Sequence, residues 1–401
     1  MRTRPVLPYH RAPVVRNCPI AALFASYPRC RIDGVTLTRG ARITGAALCG
    51  VLALITGAWI VRDISAADDL AGFLEQWAFD PRQSLVMPTQ VSSPLDGALV
   101  AVYAGTAIAV LRSSVAASAL LATAVLTLAV RLPGLWVLTA SWAYLQPTES
   151  LRTRGLLSTF AVLGLAIGLV ITAVAGRRPP DAAGQGQDPG AAPGRPMPTR
   201  PTSAVAWLAG ALLLLDAALI TVWQIRFGYE VGQEVYLDSL VGGERVAQRL
   251  LAPPSGWLAA TAVVLGLTAG VGLLARAVFS RPLGAILAVN TFMSGAVGTY
   301  LAVRLRIFEN FGAVPLEYQL VTATSLFEVI TGPVLIVLLT RRGESGPMDD
   351  PRPGAQQPPP GYGYPPAPPG YGYPPGGPGY GGPPPAGGLG PPPPSSRPPN
   401  W

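Results

Sequence analysis

Eight apolar blocks, each 14 to 22 residues long, alternate with polar or charged segments between residues 43 and 340. A helix that crosses the hydrocarbon core of a bilayer needs about 20 predominantly apolar residues. The pattern therefore predicts an all-α integral membrane protein with about eight transmembrane helices in a lipid bilayer. The predicted spans are residues 43–61, 98–111, 115–130, 156–175, 204–225, 257–275, 283–303 and 320–340.

The second and third blocks are short, and only Arg112-Ser113-Ser114 separates them. One continuous helix across both blocks would be much longer than the bilayer is thick. We therefore expect a tight hairpin of two helices, with Arg112 at the boundary with water.

Arginine placement predicts the orientation of these helices. With eight spans and the N-terminus inside, 19 of the 29 basic residues lie inside, whereas residues 63–97 outside carry one arginine and six acids. Positive charge accumulates on the cytoplasmic side of membrane proteins. All 29 basic residues are arginine, and alanine, glycine and proline are abundant, which is typical of GC-rich bacterial genomes. We expect a multi-pass protein of the bacterial plasma membrane with both termini in the cytoplasm.

The two halves of the chain match at an offset of 164 residues. A four-helix unit crosses the membrane an even number of times, so the pattern predicts two parallel four-helix repeats, residues 43–175 and 204–340, related by an axis along the membrane normal. The alternative is that boundary residues recur only because all spans have similar lengths. The matched residues are Trp59 with Trp223, Arg62 with Arg226, Arg112 with Arg276, and Arg177-Arg178 with Arg341-Arg342.

Three segments lie outside the repeats. Residues 1–42 form a basic cytoplasmic segment, part of which is alternatively an upstream start-site artefact, since the next methionine is Met87. Residues 176–203 are predicted to be a flexible cytoplasmic linker. Residues 341–401 form a tail whose part from residue 343 onward holds 22 of the 44 prolines. That composition predicts disorder, and the tail is either a ligand for a cytoplasmic partner that binds proline-rich segments or a solvated appendage.

The first outside loop also contains apolar residues at helical spacing, including Phe73 and Trp77, among acids. This spacing predicts an amphipathic helix on the outer face. Such a helix either caps the bundle or forms a lid or partner-binding surface.

Several kinds of chemistry lack the residues they need. His10 is the only histidine, and Cys18, Cys30 and Cys49 are the only cysteines, so we expect no metal centre, no disulfide framework and no histidine-based catalysis. The sequence contains no phosphate-binding loop, and we expect no cofactor and no enzyme activity. The formal charge of +8 comes from arginines that flank apolar blocks, so it does not indicate nucleic-acid binding. Nothing in the sequence indicates the oligomeric state.

Two acids stand inside predicted spans. Asp216 and Glu328 both lie about 12 Å below the outer boundary, and an ionised carboxylate there costs about 2.5–3.5 kcal/mol on insertion scales. Each should face the interior of the bundle, be paired or be protonated. Arg131 is the expected counter-ion, and Asn290 is expected to line the same path. The alternative is that each acid only bonds a neighbouring helix.

The position of Glu328 shortly before Gly332-Pro333 adds one expectation. A proline frees a backbone carbonyl and can break a helix, and broken helices often form substrate sites. The first-half positions that match the two acids are Leu52 and Gly164, so only the second half carries the carboxylates.

Two functions follow from these patterns. The first is a transporter or ion-coupled permease, in which Asp216 and Glu328 bind a proton or cation and Arg131 is their partner. The second is a membrane scaffold or regulatory protein that recruits partners through its proline-rich tail.

Overall fold

The computed structural model describes residues 37–67, 69–78, 91–113, 115–140, 148–177, 201–246 and 249–341. Helices make up 81% of these residues and the described part contains no named strand, so the all-α class is confirmed. The helices are α1 (Arg39–Ala66), α2 (Leu70–Trp77), α3 (Pro94–Arg112), α4 (Ala116–Arg131), α5 (Gly134–Val137), α6 (Glu149–Ala175), α7 (Ser203–Val241), α8 (Ser255–Leu274), α9 (Ser280–Arg304) and α10 (Leu316–Thr340).

Within the described residues, eight helical segments are long and apolar enough to cross a membrane, with α4 and α5 counted together. Each contains or closely overlaps one of the eight predicted blocks, so the pattern of a multi-pass membrane protein is confirmed. Large apolar side chains point away from the bundle, including Leu54 at 73% exposure and Ile330 at 63%. Exposure of this extent is what a lipid-facing surface requires.

Several predictions fall outside the described residues. The basic segment up to residue 36, the linker from 178 to 200 and the tail from 342 to 401 are not described. The domain boundaries stay predictions.

The tight hairpin at Arg112 is present. Helix α3 ends at Arg112 and α4 begins at Ala116, and the Ser113 amide donates to the Ala109 carbonyl at 2.7 Å. The amphipathic helix predicted in the first loop is α2, which buries Phe73 against the bundle.

The helices of each half pack in corresponding pairs. In the first half α1 packs on α3 and α4 on α6, and in the second half α7 packs on α8 and α9 on α10. Helices α1 and α7 begin at Arg39 and Ser203, and α4 and α9 begin at Ala116 and Ser280, both pairs 164 residues apart. These correspondences agree with the predicted duplication, which itself stays a prediction.

Helix α7 is kinked at Gly232, which has φ 80° and ψ 166°. This left-handed conformation favours glycine because a Cβ atom would be strained there. The kink separates the membrane-spanning part of α7 from a shorter segment at the same end of the bundle as α2. We call this the α2 end, and the opposite end, where α1 begins and α10 finishes, the terminal end.

Hydroxyl groups join α3 and α4 in the core of the first half. The side chains of Thr106 and Thr123 are 2.8 Å apart, and the Tyr103 hydroxyl is 3.0 Å from that of Thr127. All four side chains are buried. Such interhelical bonds hold membrane helices in register.

We expect Thr106→Val to lower the free energy of unfolding by about 0.6–1.7 kcal/mol, the range for hydrogen bonds between membrane helices. The double-mutant cycle with Thr123→Val should give a coupling energy of similar size. Thermal unfolding in detergent measures it, and additive single effects would contradict a direct bond.

Close helix packing in the second half depends on glycines. A Cβ at Gly270 would lie 2.7 Å from Leu214 of α7, and one at Gly332 would lie 2.8 Å from the Ala288 carbonyl of α9. Helix α10 is continuous through Pro333, so the expected break at Gly332-Pro333 is wrong. Packing against α9 holds α10 helical where the proline removes one backbone bond.

Candidate functional site

A cavity of about 450 Å³ lies among α3, α7, α8, α9 and α10, with α2 and the segment before α8 at its rim. Ser255 and Gly266 of α8 both line it, and eleven residues of helix rise about 16 Å. The cavity therefore extends from the α2 end toward the middle of the bundle. Its volume lies within the range of small-molecule sites, about 300–1,000 Å³.

Asp216 of α7 lines the inner part of the cavity and is 8% exposed. Its Oδ2 accepts a hydrogen bond from the Thr291 hydroxyl at 3.0 Å. Its Oδ1 is buried and has no hydrogen-bond partner among the described residues. A buried carboxylate oxygen without a donor is costly, and a native structure usually keeps one for a reason.

Glu328 of α10 lines the same cavity and is also 8% exposed. It lies beside Ser294 of α9 and close enough to Asp216 for the two carboxyl groups to interact electrostatically. The Trp223 indole of α7 donates to the Thr324 hydroxyl of α10 at 3.2 Å, which joins the two acid-bearing helices one to two turns from the acids, toward the α2 end.

Helix α9 contributes the polar groups opposite the acids. Asn290, Thr291 and Ser294 line the cavity within little more than one helical turn. Asn290 thus lines the same cavity as the two acids. Three of the four predicted site residues, Asp216, Glu328 and Asn290, are brought to one cavity; their role in binding stays a prediction.

Arg131, the expected counter-ion, does not pair with the two acids. It is 5% exposed, forms an ion pair with Asp96 of α3, and donates to the Leu251 carbonyl at 3.0 Å. It is absent from the cavity lining. The physical reason is that Asp96 lies in the first turn of α3 and Arg131 is the last residue of α4, both at the α2 end. The two side chains therefore pair there, away from the acids in the middle of the bundle.

Arg249 lies at the rim of the cavity and was not expected from the sequence. Its guanidinium donates to the Ser92 and Gln76 carbonyls, which lie in the first half of the chain. Burial lowers the pKa of Arg249 to about 10, against the opposing effect of Asp96 and Asp63, so the group remains charged at neutral pH.

Buried carboxylates organise the first-half segment beside Arg249. Asp63 of α1 accepts hydrogen bonds from the Ser92 amide at 2.5 Å and the Val91 amide at 3.0 Å. Asp96 accepts the Ser93 amide at 2.7 Å in a capping box. Hydrogen bonds between buried ionisable side chains and backbone groups therefore stabilise the α2 end, and residues from both halves of the chain contribute to them.

No group of three or more histidine, cysteine, aspartate or glutamate residues that could hold a metal ion occurs in the described part of the chain. Comparison of the chain with protein-family models, curated proteins and solved structures finds no match. The cavity and its side chains are therefore the features that indicate a function.

Proposed function

We propose that this protein is a membrane transporter or ion-coupled permease in which Asp216 and Glu328 bind a proton or small cation. The observation that carries the proposal is the pair of buried carboxyl groups on α7 and α10, which face one cavity while Asp216 Oδ1 accepts no hydrogen bond from a described residue. Ionisable residues at membrane depth commonly mark ion paths and proton relays.

The orientation belongs to the same proposal. Apart from Asp216 and Glu328, the acids of the described residues lie toward the α2 end, most of them on loops or near helix ends, with Glu230 and Glu234 on either side of the α7 kink. Arginines of the described residues lie at both ends, but the segments that the predicted spans assign to the terminal end carry 19 of the 29 arginines of the full sequence. Arg276 and Arg281 are among them, and they donate to the Pro201 and Leu339 carbonyls. This asymmetry supports a cytoplasmic terminal end in a bacterial plasma membrane, with the cavity open toward the outside.

The predicted duplication is consistent with different roles for the two halves of the chain. Asp216 corresponds at the 164-residue offset to Leu52, which is fully buried in the first half. In this proposal the first half is a packing scaffold and the second half carries the ion site. We propose no catalytic role for this cavity.

The test is ion flux through the full-length protein in liposomes. Under an imposed membrane potential, a trapped pH dye reports proton entry and radioactive sodium reports cation entry. We expect flux above that of protein-free liposomes, and at least a tenfold decrease in the Asp216→Asn/Glu328→Gln variant. Glu317→Gln is the matched control, since its carboxylate is exposed at the α2 end and pairs with Arg226.

Equal flux in the wild-type protein and the double variant would contradict the proposal, and so would flux no faster than in protein-free liposomes. A chain truncated after Arg341 should keep its flux. If that truncation abolishes cellular function while the acid variant supports it, the alternative of a scaffold acting through its tail is favoured.

A further inference from the structure

The shape of the cavity limits what the two acids bind. A bare metal ion or proton needs only a few oxygen atoms around it. This cavity measures about 450 Å³ and extends about 16 Å along α8, far beyond the level of Asp216 and Glu328. A cavity of this size beside two acids accommodates an organic molecule that has an uncharged part, its body, as well as a charged group.

The walls between the rim and the acids are mainly apolar. Side chains from three helices provide this surface, and they are Ile220 of α7, Leu258, Ala259 and Ala262 of α8, and Val297 of α9. Leu213 and Leu287 extend the apolar lining about one turn beyond the acids, toward the terminal end. An apolar ligand body gains free energy here because it leaves water. An inorganic ion would gain nothing from these walls.

The ionisable side chains at the inner end are acidic. Asp216 and Glu328 both line it, and Arg249 is the only basic side chain among the described residues that line the cavity. Arg249 stands at the rim beside Ser93, Pro253 and Pro254, at the other end of the cavity, and its guanidinium is bonded to backbone carbonyls. A cation is therefore the charge that complements the inner end.

Two polar features would hold such a cation. Asp216 Oδ1 is buried and lacks a hydrogen-bond donor among the described residues, so it is ready to accept one. The Asn290 side chain lines the cavity one position before Thr291, the residue that already donates to Asp216 Oδ2. An ammonium group brings both positive charge and N–H donors to this position.

We infer that the cavity binds organic cations with an apolar body, whose charged group lies between Asp216 and Glu328 and whose body extends along α8 toward Trp77. This inference deepens the proposed function by naming its substrate class, and it rests on the same site. The Trp77 indole at the rim provides an aromatic surface for the outer part of the ligand.

Equilibrium binding to the purified full-length protein in detergent tests the inference without any ion gradient. The probes are tetraphenylphosphonium, its isosteric anion tetraphenylborate, and the smaller cation benzylammonium, which carries N–H donors. We expect saturable binding of at least one cation with one site per chain, and at least tenfold weaker binding of the anion. Similar affinity for tetraphenylphosphonium and tetraphenylborate would overturn the inference, as would no saturable binding of either cation.

Three variants locate the site. Asp216→Asn/Glu328→Gln should weaken cation binding at least tenfold, and Glu317→Gln should leave it unchanged. Ala262→Phe keeps both charges but fills the cavity beside α8, so it should also weaken binding of the larger cation. Size-exclusion profiles and helical circular dichroism verify that each variant is folded. Unchanged binding in folded Asp216→Asn/Glu328→Gln or Ala262→Phe would place the ligand elsewhere and overturn the inference.

The binding and flux experiments test different claims, so either can give a negative result while the other is positive. Saturable cation binding that requires Asp216 and Glu328, without any ion flux, would support the binding site and contradict the transport function. Proton flux that requires Asp216 and Glu328, without binding of either cation, would support the transport function and overturn the inferred substrate class.

Discussion

Asp96→Asn should destabilise the protein by about 3–5 kcal/mol, because it leaves the Arg131 guanidinium buried without its counter-charge. Arg131 is 5% exposed and Asp96 is 1% exposed, so water cannot replace the lost partner. The Nε of Arg131 already lacks a hydrogen-bond partner among the described residues, and no other carboxylate forms an ion pair with Arg131 there. Arg131→Met should have a comparable effect, since it leaves the Asp96 carboxylate buried.

The double variant Asp96→Leu/Arg131→Met should cost much less than the sum of the single effects. Removing both members of a buried ion pair is often tolerated, whereas removing one is not. Some loss remains, because the Ser93 amide and the Leu251 carbonyl lose hydrogen-bond partners. Chemical unfolding of the purified protein in detergent measures the cycle.

Arg226→Gln is the control for a surface ion pair. Its guanidinium pairs with Glu230 at 2.7 Å and Glu317 at 2.9 Å, but these side chains are 39–49% exposed. We expect a loss of at most about 1 kcal/mol. If Asp96→Asn costs no more than Arg226→Gln, the ion pair does not hold the α2 end together.

The same ion pair also supports the mouth of the cavity. Arg131 lies on α4 in the first half, and the Leu251 carbonyl that it binds lies in the segment just before α8. Ala252, Pro253 and Pro254 of that segment line the cavity. Loss of the ion pair should therefore loosen the rim while Asp216 and Glu328 keep their places on α7 and α10.

The spans were predictable because a run of about 20 apolar residues has few folded alternatives in a bilayer. The predicted blocks were shorter than the helices, since charged and polar residues extend several helices beyond the apolar core. Helix α3 is an example in which the shorter predicted block misplaces a residue. Its predicted block begins at residue 98, which places Asp96 in a loop, whereas α3 begins at Pro94.

A local signal for this start was present in the sequence. Ser93-Pro94-Leu95-Asp96 has the form of a helix N-terminus, with serine at the N-cap, proline in the first turn and an acid three residues after the cap. That interpretation would have put Asp96 on a helix beside the end of α4, and so within reach of Arg131. The pairing of Arg249 with carbonyls of residues 76 and 92 had no such local signal, because it joins segments more than 150 residues apart.

Asp216 and Glu328 were predictable as site residues because a carboxylate inside an apolar span is energetically costly and is usually functional. Their convergence depends on packing between helices, which the sequence expresses only indirectly through glycines. Gly295 and Gly298 of α9 face α10 at the level of Glu328 and Ser325. The close approach that they permit brings the acid of α10 to the cavity.

Gly295→Ala should destabilise the protein by about 1–3 kcal/mol and weaken cation binding by displacing Glu328. A Cβ at this position would lie 2.7 Å from both Glu328 Cβ and the Ser325 carbonyl oxygen, and closer still to the Val329 amide. Two of these atoms belong to the α10 backbone, so no rotamer change relieves the clash and α9 and α10 must separate. Chemical unfolding and tetraphenylphosphonium binding measure the two consequences.

Gly164→Ala is the matched control for Gly295→Ala. Gly164 also lies within a spanning helix, α6, but a Cβ there would meet nothing within 4 Å. We expect its stability to stay within about 1 kcal/mol of the wild-type value, with any change in the stabilising direction because alanine favours the helix. Equal stability and equal cation binding in both variants would mean that α9 and α10 tolerate a wider separation. The position of Glu328 would then depend on something other than the glycine contact.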